Sequence, residues 1–532
     1  MGLESLMAYK WADYGKQLLT YWLVPLLCAL LSWQKGLDIN WDVQNYHYYN
    51  AWAHLHDRYS IDLAPAGMQS FFNPLFDLAW YGSMQLLTPQ GAGILMGLLH
   101  GFNFLLVRAI ALRVLGKVAW AAQLSWLLGV FAVMSMGFLS ELGTAMHDNI
   151  VALLALSALL LCLQAQSRPL PAQTPLLLLA GAIAGFACAA KLTSAFYALA
   201  LAFALVAENC THESRWRNRL QPAVVYSMAV AVTMLVVGAY WYWFNWSRFD
   251  NPLFPMFNDI FRSDLATAYD HRDTRFLPAN WIDWWFRPVL LAINHTLASE
   301  LPYRQYTFAL VYVAAVAALV WWLIRRQRGM VTVFPQRGTV LLFVFALVSY
   351  ALWLKLFGIY RYVITLERLL PLLLAMLLAS MVGNRRGFGI AVALGVLVSV
   401  HNMNKAPDWG HAPWSADYVA VSMPTDIDSV GTVALMGQPL AWLVPAFNLQ
   451  IPFLQIEPNI SVHESRYGEE LVRRIDLNKE MRVVFDPAVY SIEQVVTRIA
   501  QGRLSLLPTA CEPLQAYMGG QLFAYQYCRV TR

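Results

Sequence analysis

Acids, cations and aromatic rings gather where apolar runs of this chain begin and end. In 41-WDVQNYHYYNAWAHLHDR-58, Asp42 and His47 follow the first apolar run, and in 140-SELGTAMHDNIVALL-154, Glu141, His147 and Asp148 open a later one. Lys191 closes 185-GFACAAK-191 between two apolar runs, Arg248 leaves a third, and 357-FGIYRYVITLERLLPLL-373 carries Arg361, Tyr362, Glu367 and Arg368. Ionisable groups at such positions are rare, and several of them converging on one face mark a functional site. The chemistry they could do is transfer from a phosphate leaving group. A carboxylate takes the proton of an incoming hydroxyl while Lys and Arg neutralise the departing phosphate.

Each residue also has a simpler reading. Asp42 and Asp148 could cap helices, and Lys191 could snorkel to lipid headgroups. His47 lies five positions after Asp42, so on a regular helix it is not beneath it, and its contact with substrate stays open. Arg361 and Arg368 are seven apart and share a helix face, where an arginine as deep as Arg368 needs a partner that neighbouring Glu367 cannot supply from another face. Pro252 and Pro255 after Arg248 make a rigid exit turn.

The elements that must position these groups are membrane helices. Of 532 residues, 58% are hydrophobic and 13% charged, against about 25% charged in a soluble domain. Apolar runs of the roughly 17–25 residues needed to cross a bilayer recur from residue 18 to residue 402, and only helices satisfy their own backbone there. The expected spans are 18–34, 92–113, 118–138, 145–165, 174–190, 193–208, 221–244, 306–324, 338–357, 360–382 and 387–402, eleven in all. Lys10 and Lys16 precede the first run as in a signal peptide, but no small-x-small cleavage site follows Trp33, so the first helix is read as retained.

Charge sets the orientation. With the N-terminus in the cytoplasm, Arg113 and Lys117, Arg168, the trio Arg215, Arg217 and Arg219, then Arg325, Arg326, Arg328 and Arg337, and lastly Arg385 and Arg386 all fall in cytoplasmic loops, as the positive-inside rule requires. The net charge of +5 thus resides in loops and does not point to nucleic acid. The loops 35–91 and 245–305, the turn 139–144 and the tail 403–532 become external. Within the first loop, 71-FFNPLFDLAWYGSMQLL-87 carries Asn73, Pro74 and Asp77 and is read as a helix lying at the interface. The tail 403–532 has strand-length runs at 431–437, 451–456 and 481–486 and a helical pattern over 464–476, a small α/β domain. Cys511 and Cys528 lie in that tail, where an oxidising periplasm would permit a disulfide.

In layout and short motifs the chain resembles the GT-C superfamily of polytopic glycosyltransferases, which includes bacterial aminoarabinose transferases and protein O-mannosyltransferases. The resemblance covers residues 18–402. It is carried by Asp42 in the first external loop, Asp148 in 144-TAMHDN-149, Lys191 in 185-GFACAAK-191, the segment 248-RFDNPLFPMFN-258 and the pair 361-RY-362. It implies an all-α polytopic module over residues 1–402 in a bacterial inner membrane, to which the tail 403–532, read above from its own pattern, adds a soluble external domain. The resemblance further implies a polyprenyl-phosphate sugar donor, a hydroxyl acceptor on a glycan, lipid or protein, Asp42 as base, Asp148 shaping the site or binding a metal or acceptor, and Lys191, Arg248, Arg361 and Tyr362 at the donor; His47 and His147, from their place at the same mouth and not from the resemblance, are candidate substrate-binding residues.

One departure concerns metal. Many relatives carry paired acids in the first loop, whereas Val43 follows Asp42 here. That favours a metal-free inverting displacement: no metal ligands are assigned and no cofactor is required, with a divalent ion, Mg or Mn, left open. The competing reading is a transporter or lipid flippase without chemistry, which inverted repeats and Gly/Pro-broken spans in matching halves would favour. Neither feature is found.

Overall fold

The computed structural model describes residues 18–116, 118, 120–326, 337–426, 430–460, 465–476, 480–501 and 507–531. Lys117 and Arg328, two of the charges used for orientation, and Lys10 and Lys16 before the first run lie outside the described residues.

Among the described residues, eight helices are long and apolar enough to cross a membrane, from Pro89–Leu115 to Asn384–Lys405. A ninth span is broken: Tyr360–Glu367 and Leu370–Val382 meet at 49°. The expected spans 18–34 and 118–138 take interrupted forms. The first is described as a π turn, Leu18–Trp22, running into Leu23–Lys35. The second is Ala121–Val133, separated by Met134 and Ser135 from the single turn Met136–Ser140. The chain is a multi-pass membrane protein. Its largest core packs Leu128, Leu156, Leu201, Phe345 and Leu372 from five of these helices.

The tail builds a six-stranded mixed sheet. Strand β1 (Leu37–Asp38) belongs to the first loop and pairs with β2 (His411–Ala412), and β3 (Val419–Val421) opens the larger sheet. The others are β4 (Thr432–Met436), β5 (Phe453–Gln455), β6 (Met481–Phe485), β7 (Leu507–Met518) and β8 (Gln521–Thr531). Their order is β3-β7-β8-β6-β4-β5, with β4 parallel to both β5 and β6. The strands read from sequence at 431–437, 451–456 and 481–486 are β4, β5 and β6. The helical pattern is Arg466–Asp476.

The tail and the first loop are one packing unit. The β1 and β2 strands join them, and Gly36, at φ +104°, makes the approach possible, because a side chain there would strike the Ala412 carbonyl. Leu63 then covers the free edge of β5: its N–H donates to the Phe453 carbonyl at 2.8 Å and its carbonyl accepts from Gln455 N–H at 3.0 Å. One apolar core is shared, with Tyr49, Trp52 and Trp80 from the loop meeting Trp442, Phe453 and Tyr525 from the tail.

Cys511 and Cys528 face each other across β7 and β8 and form a disulfide enclosing a separation of 17 residues. Replacing Cys528 by serine should cost the tail about 2–4 kcal/mol, from the lost restraint on the unfolded chain. Thermal unfolding with and without reductant checks this: wild type should fall to the variant's midpoint on reduction, and a midpoint insensitive to reductant contradicts it.

Candidate functional site

The first loop delivers Asp42 on an irregular turn. Residues Val43–His47 form a π helix, with the Tyr48 N–H donating to the Val43 carbonyl, and π turns of this kind concentrate at functional sites. The turn corrects the spacing argument made from sequence. Positions five apart are aligned on a π turn, so His47 lies near Asp42, close enough for its charge to act on the Asp42 carboxyl. Asp42 makes no capping bond. Its carboxylate instead accepts from Arg361 Nη1 at 2.6 Å. Burial alone would push the Asp42 carboxyl up, but Arg361, His47 and Lys191 outweigh it and hold the group below its ordinary value.

A second carboxylate–cation pair stands beside the first. Asp148 is the first residue of the span Asp148–Ala165, and its Oδ1 accepts from Lys191 Nζ at 2.7 Å. Lys191 is the residue at which the helix Leu170–Ala190 ends, and its ammonium also donates to the Met146 carbonyl at 2.8 Å. Tyr362 links the two pairs: Lys191 Nζ lies 5.6 Å and the Arg361 guanidinium 5.8 Å from its ring centre. The break in the last bent span makes this possible. A 3-10 turn, Tyr360–Val363, presents Arg361 to Asp42, and six residues on Glu367 turns away to accept from Gly137 N–H and Gln305 Nε2. Arg368 finds its partner in Asn149 Oδ1.

Asp77, which entered the sequence reading only as an argument against a span, is a central member of the cluster. Its Oδ1 lies 2.6 Å from His47 Nδ1 and 3.0 Å from His147 Nε2. Burial would raise its carboxyl, yet the two rings hold it below the ordinary range. Burial pushes the His147 ring down to about 4, so it is neutral near pH 7. His147 sits at φ +65°, a left-handed conformation for a residue with a side chain. Glu141 is buried with neither carboxylate oxygen partnered among the described residues, and desolvation, reinforced by Asp148, raises its carboxyl well above the usual value. The sequence signal for Asp77 was a lone acid beside Asn73 and Pro74 in an apolar stretch.

The structure does not bring Arg248 to this cluster. It stands exposed at the end of the helix Trp216–Phe249, stacked 3.8 Å over Phe244. The resemblance of 248-RFDNPLFPMFN-258 had placed it at the donor, whereas here its contacts are the aromatic rings of Phe244 and Tyr59.

The carboxylate through which the resemblance implied a metal is Asp148, whose Oδ1 accepts from Lys191 while its buried Oδ2 has no partner among the described residues. Asp42, assigned as base, is paired with Arg361. Among the described residues, His47, Asp77 and His147 also bring three possible metal-ligating atoms together.

Among solved structures, the chain is similar to ArnT from Cupriavidus metallidurans bound to undecaprenyl phosphate, at a TM-score of 0.51 and 14% identity over 96% of this chain and 98% of that one. The apo state of the same protein gives a TM-score of 0.52 and 13% identity over 97% and 98%. The chain has the fold of ArnT. Alignment runs over nearly the full length of both, so the likeness takes in the tail as well as the spans. No family model and no curated protein sequence matches the chain.

Proposed function

We propose that the chain is a membrane glycosyltransferase that moves a sugar from a polyprenyl-phosphate donor to a hydroxyl acceptor on the periplasmic face, with inversion. The observation that carries this reading is the pair of carboxylate–cation contacts sharing the Tyr362 ring, on a fold whose solved example is bound to undecaprenyl phosphate. The ionised Asp42 accepts the acceptor's hydroxyl proton as the new O–C bond forms at the anomeric carbon. The bond from that carbon to the phosphate oxygen breaks on the opposite face, and the leaving polyprenyl phosphate takes the electron pair. Arg361 and Lys191 stabilise its charge. In the free protein both cations rest on carboxylates, so an arriving phosphate competes for them and frees Asp42 to act. Asp148 holds Lys191 in place, and Tyr362 keeps the two cations together.

The N-terminus is cytoplasmic and the tail periplasmic in this reading, which the arginine loops and the Cys511–Cys528 disulfide support. The membrane is a bacterial inner membrane. A transporter or flippase would bind the lipid phosphate without needing a base beside it.

Lys191→Ala tests the donor site. Loss of one charge-assisted contact is expected to weaken polyprenyl-phosphate binding by about 10- to 100-fold, read by native mass spectrometry or by ligand-induced thermal shift in detergent. Unchanged binding would remove Lys191 from the donor site.

A further inference from the structure

We propose that His47, Asp77 and His147 form a site for a divalent metal ion of the zinc class. Their three donor atoms lie within 4.8 Å of one another, and all three side chains are buried. They arrive from three separate segments: the π turn Val43–His47, the helix Leu75–Leu86 and the residue preceding the span Asp148–Ala165. Two of those segments hold unusual backbone to do so, the π turn at His47 and the left-handed conformation at His147. Such geometry persists where side-chain placement is the purpose.

The donor types choose the metal. Two imidazole nitrogens and one carboxylate oxygen suit zinc and its neighbours, whereas magnesium and calcium take oxygen donors and retain water. Three protein ligands leave one position for an exogenous oxygen, as in open zinc sites. The Asp77 Oδ1 atom, 2.6 and 3.0 Å from the two ring nitrogens, fixes the nitrogens that face inward as His47 Nδ1 and His147 Nε2. The site is separate from the two carboxylate–cation pairs yet tied to both. His47 is one π turn from Asp42 and His147 adjoins Asp148, so a bound ion would fix both carboxylates.

The inference does not depend on the transfer reaction, because its test is a stoichiometry. The full-length protein, purified in detergent, stripped with chelator and dialysed against zinc, cobalt, manganese or magnesium, is assayed by elemental analysis. About one zinc per chain is expected to survive gel filtration, with visible d–d bands in the cobalt form and no retained manganese or magnesium. His47→Ala and His147→Ala should each lose the ion. If either fails to fold, Asp77→Asn, which keeps an oxygen for the two rings to donate to, should still lower zinc affinity by at least about 10-fold. A wild type that retains no zinc or cobalt, one that prefers manganese or magnesium, or an Asp77→Asn variant that binds zinc as wild type does would each overturn the proposal. Failure here would leave the glycosyl-transfer reading standing, and the reverse also holds.

Discussion

An Asp42→Asn variant is expected to lose about 10²- to 10⁴-fold of its glycosyl transfer, the range for removing a positioned general base, while folding and inserting as wild type. Asparagine retains an oxygen for Arg361, whose Nη1 lies 2.6 Å from the carboxylate, so the pair's geometry survives and only the proton acceptor is lost. Polyprenyl-phosphate binding should be retained or strengthened, because Arg361 no longer has a full negative charge to leave. The measurement is sugar incorporation in a deletion strain complemented with the variant, alongside its detergent-solubilised yield and melting temperature. Because the wild-type carboxyl is held below its ordinary value, it is ionised throughout the neutral range. The acid limb of the wild-type kcat/KM profile, which reports the free protein with Arg361 still on Asp42, should therefore fall below the usual carboxylate value, activity being lost only as pH drops through it. Full activity of the variant would remove Asp42 from the chemistry.

The largest expected effect on stability lies at Arg58. This side chain is 1% exposed and grips Asp62 through two bonds, Nη2 to Oδ1 at 2.6 Å and Nε to Oδ2 at 3.0 Å. It also donates to the Ile451 carbonyl at 2.6 Å and to the Leu449 carbonyl, both in the tail. Asp62 in turn accepts from Tyr49 Oη and from Phe453 N–H, each at 2.9 Å. Arg58→Met leaves Asp62 buried with its charge uncompensated, a loss of about 3–5 kcal/mol. Tail and first loop should come apart, which shows as protease sensitivity near residues 449–451 and as lost activity although Arg58 is not among the groups around Asp42. An Asp62→Leu change added to Arg58→Met should recover much of the stability, because the pair is then removed as a unit. A single variant within about 1 kcal/mol of wild type, with no new cleavage, would contradict the docking account.

The spans and the loops between them were legible because membrane helices declare themselves by length and apolarity, and the tail's three parallel strands by short apolar runs. Asp42, Asp148, Lys191 and Arg361 could be singled out because each is an ionisable residue at the edge of an apolar run, and the structure pairs them two by two. What escaped the sequence is nonlocal or depends on irregular backbone. The π turn that aligns His47 with Asp42 has no periodicity to detect. The β1–β2 pairing involves two residues on each side, separated by more than 370 positions in the chain and too short for any strand pattern. Asp77 was visible only as a flaw in an apolar helix, since its partners His47 and His147 lie 30 and 70 residues away. Arg248 is the converse case: a motif resemblance suggested a site, and in the structure its contacts are the rings of Phe244 and Tyr59.

The proposed function makes a polyprenyl-phosphate-linked sugar the substrate of this chain. Quantitative mass spectrometry of the lipid-linked sugars in a deletion strain tests it most directly, with the strain complemented in parallel by wild type or by Asp42→Asn. The account predicts that one polyprenyl-phosphate sugar accumulates in the deletion and in the Asp42→Asn strain, that the same sugar disappears from the cell envelope, and that wild type reverses both. An unchanged pool of lipid-linked sugars in the deletion strain, with an unchanged envelope, would contradict it.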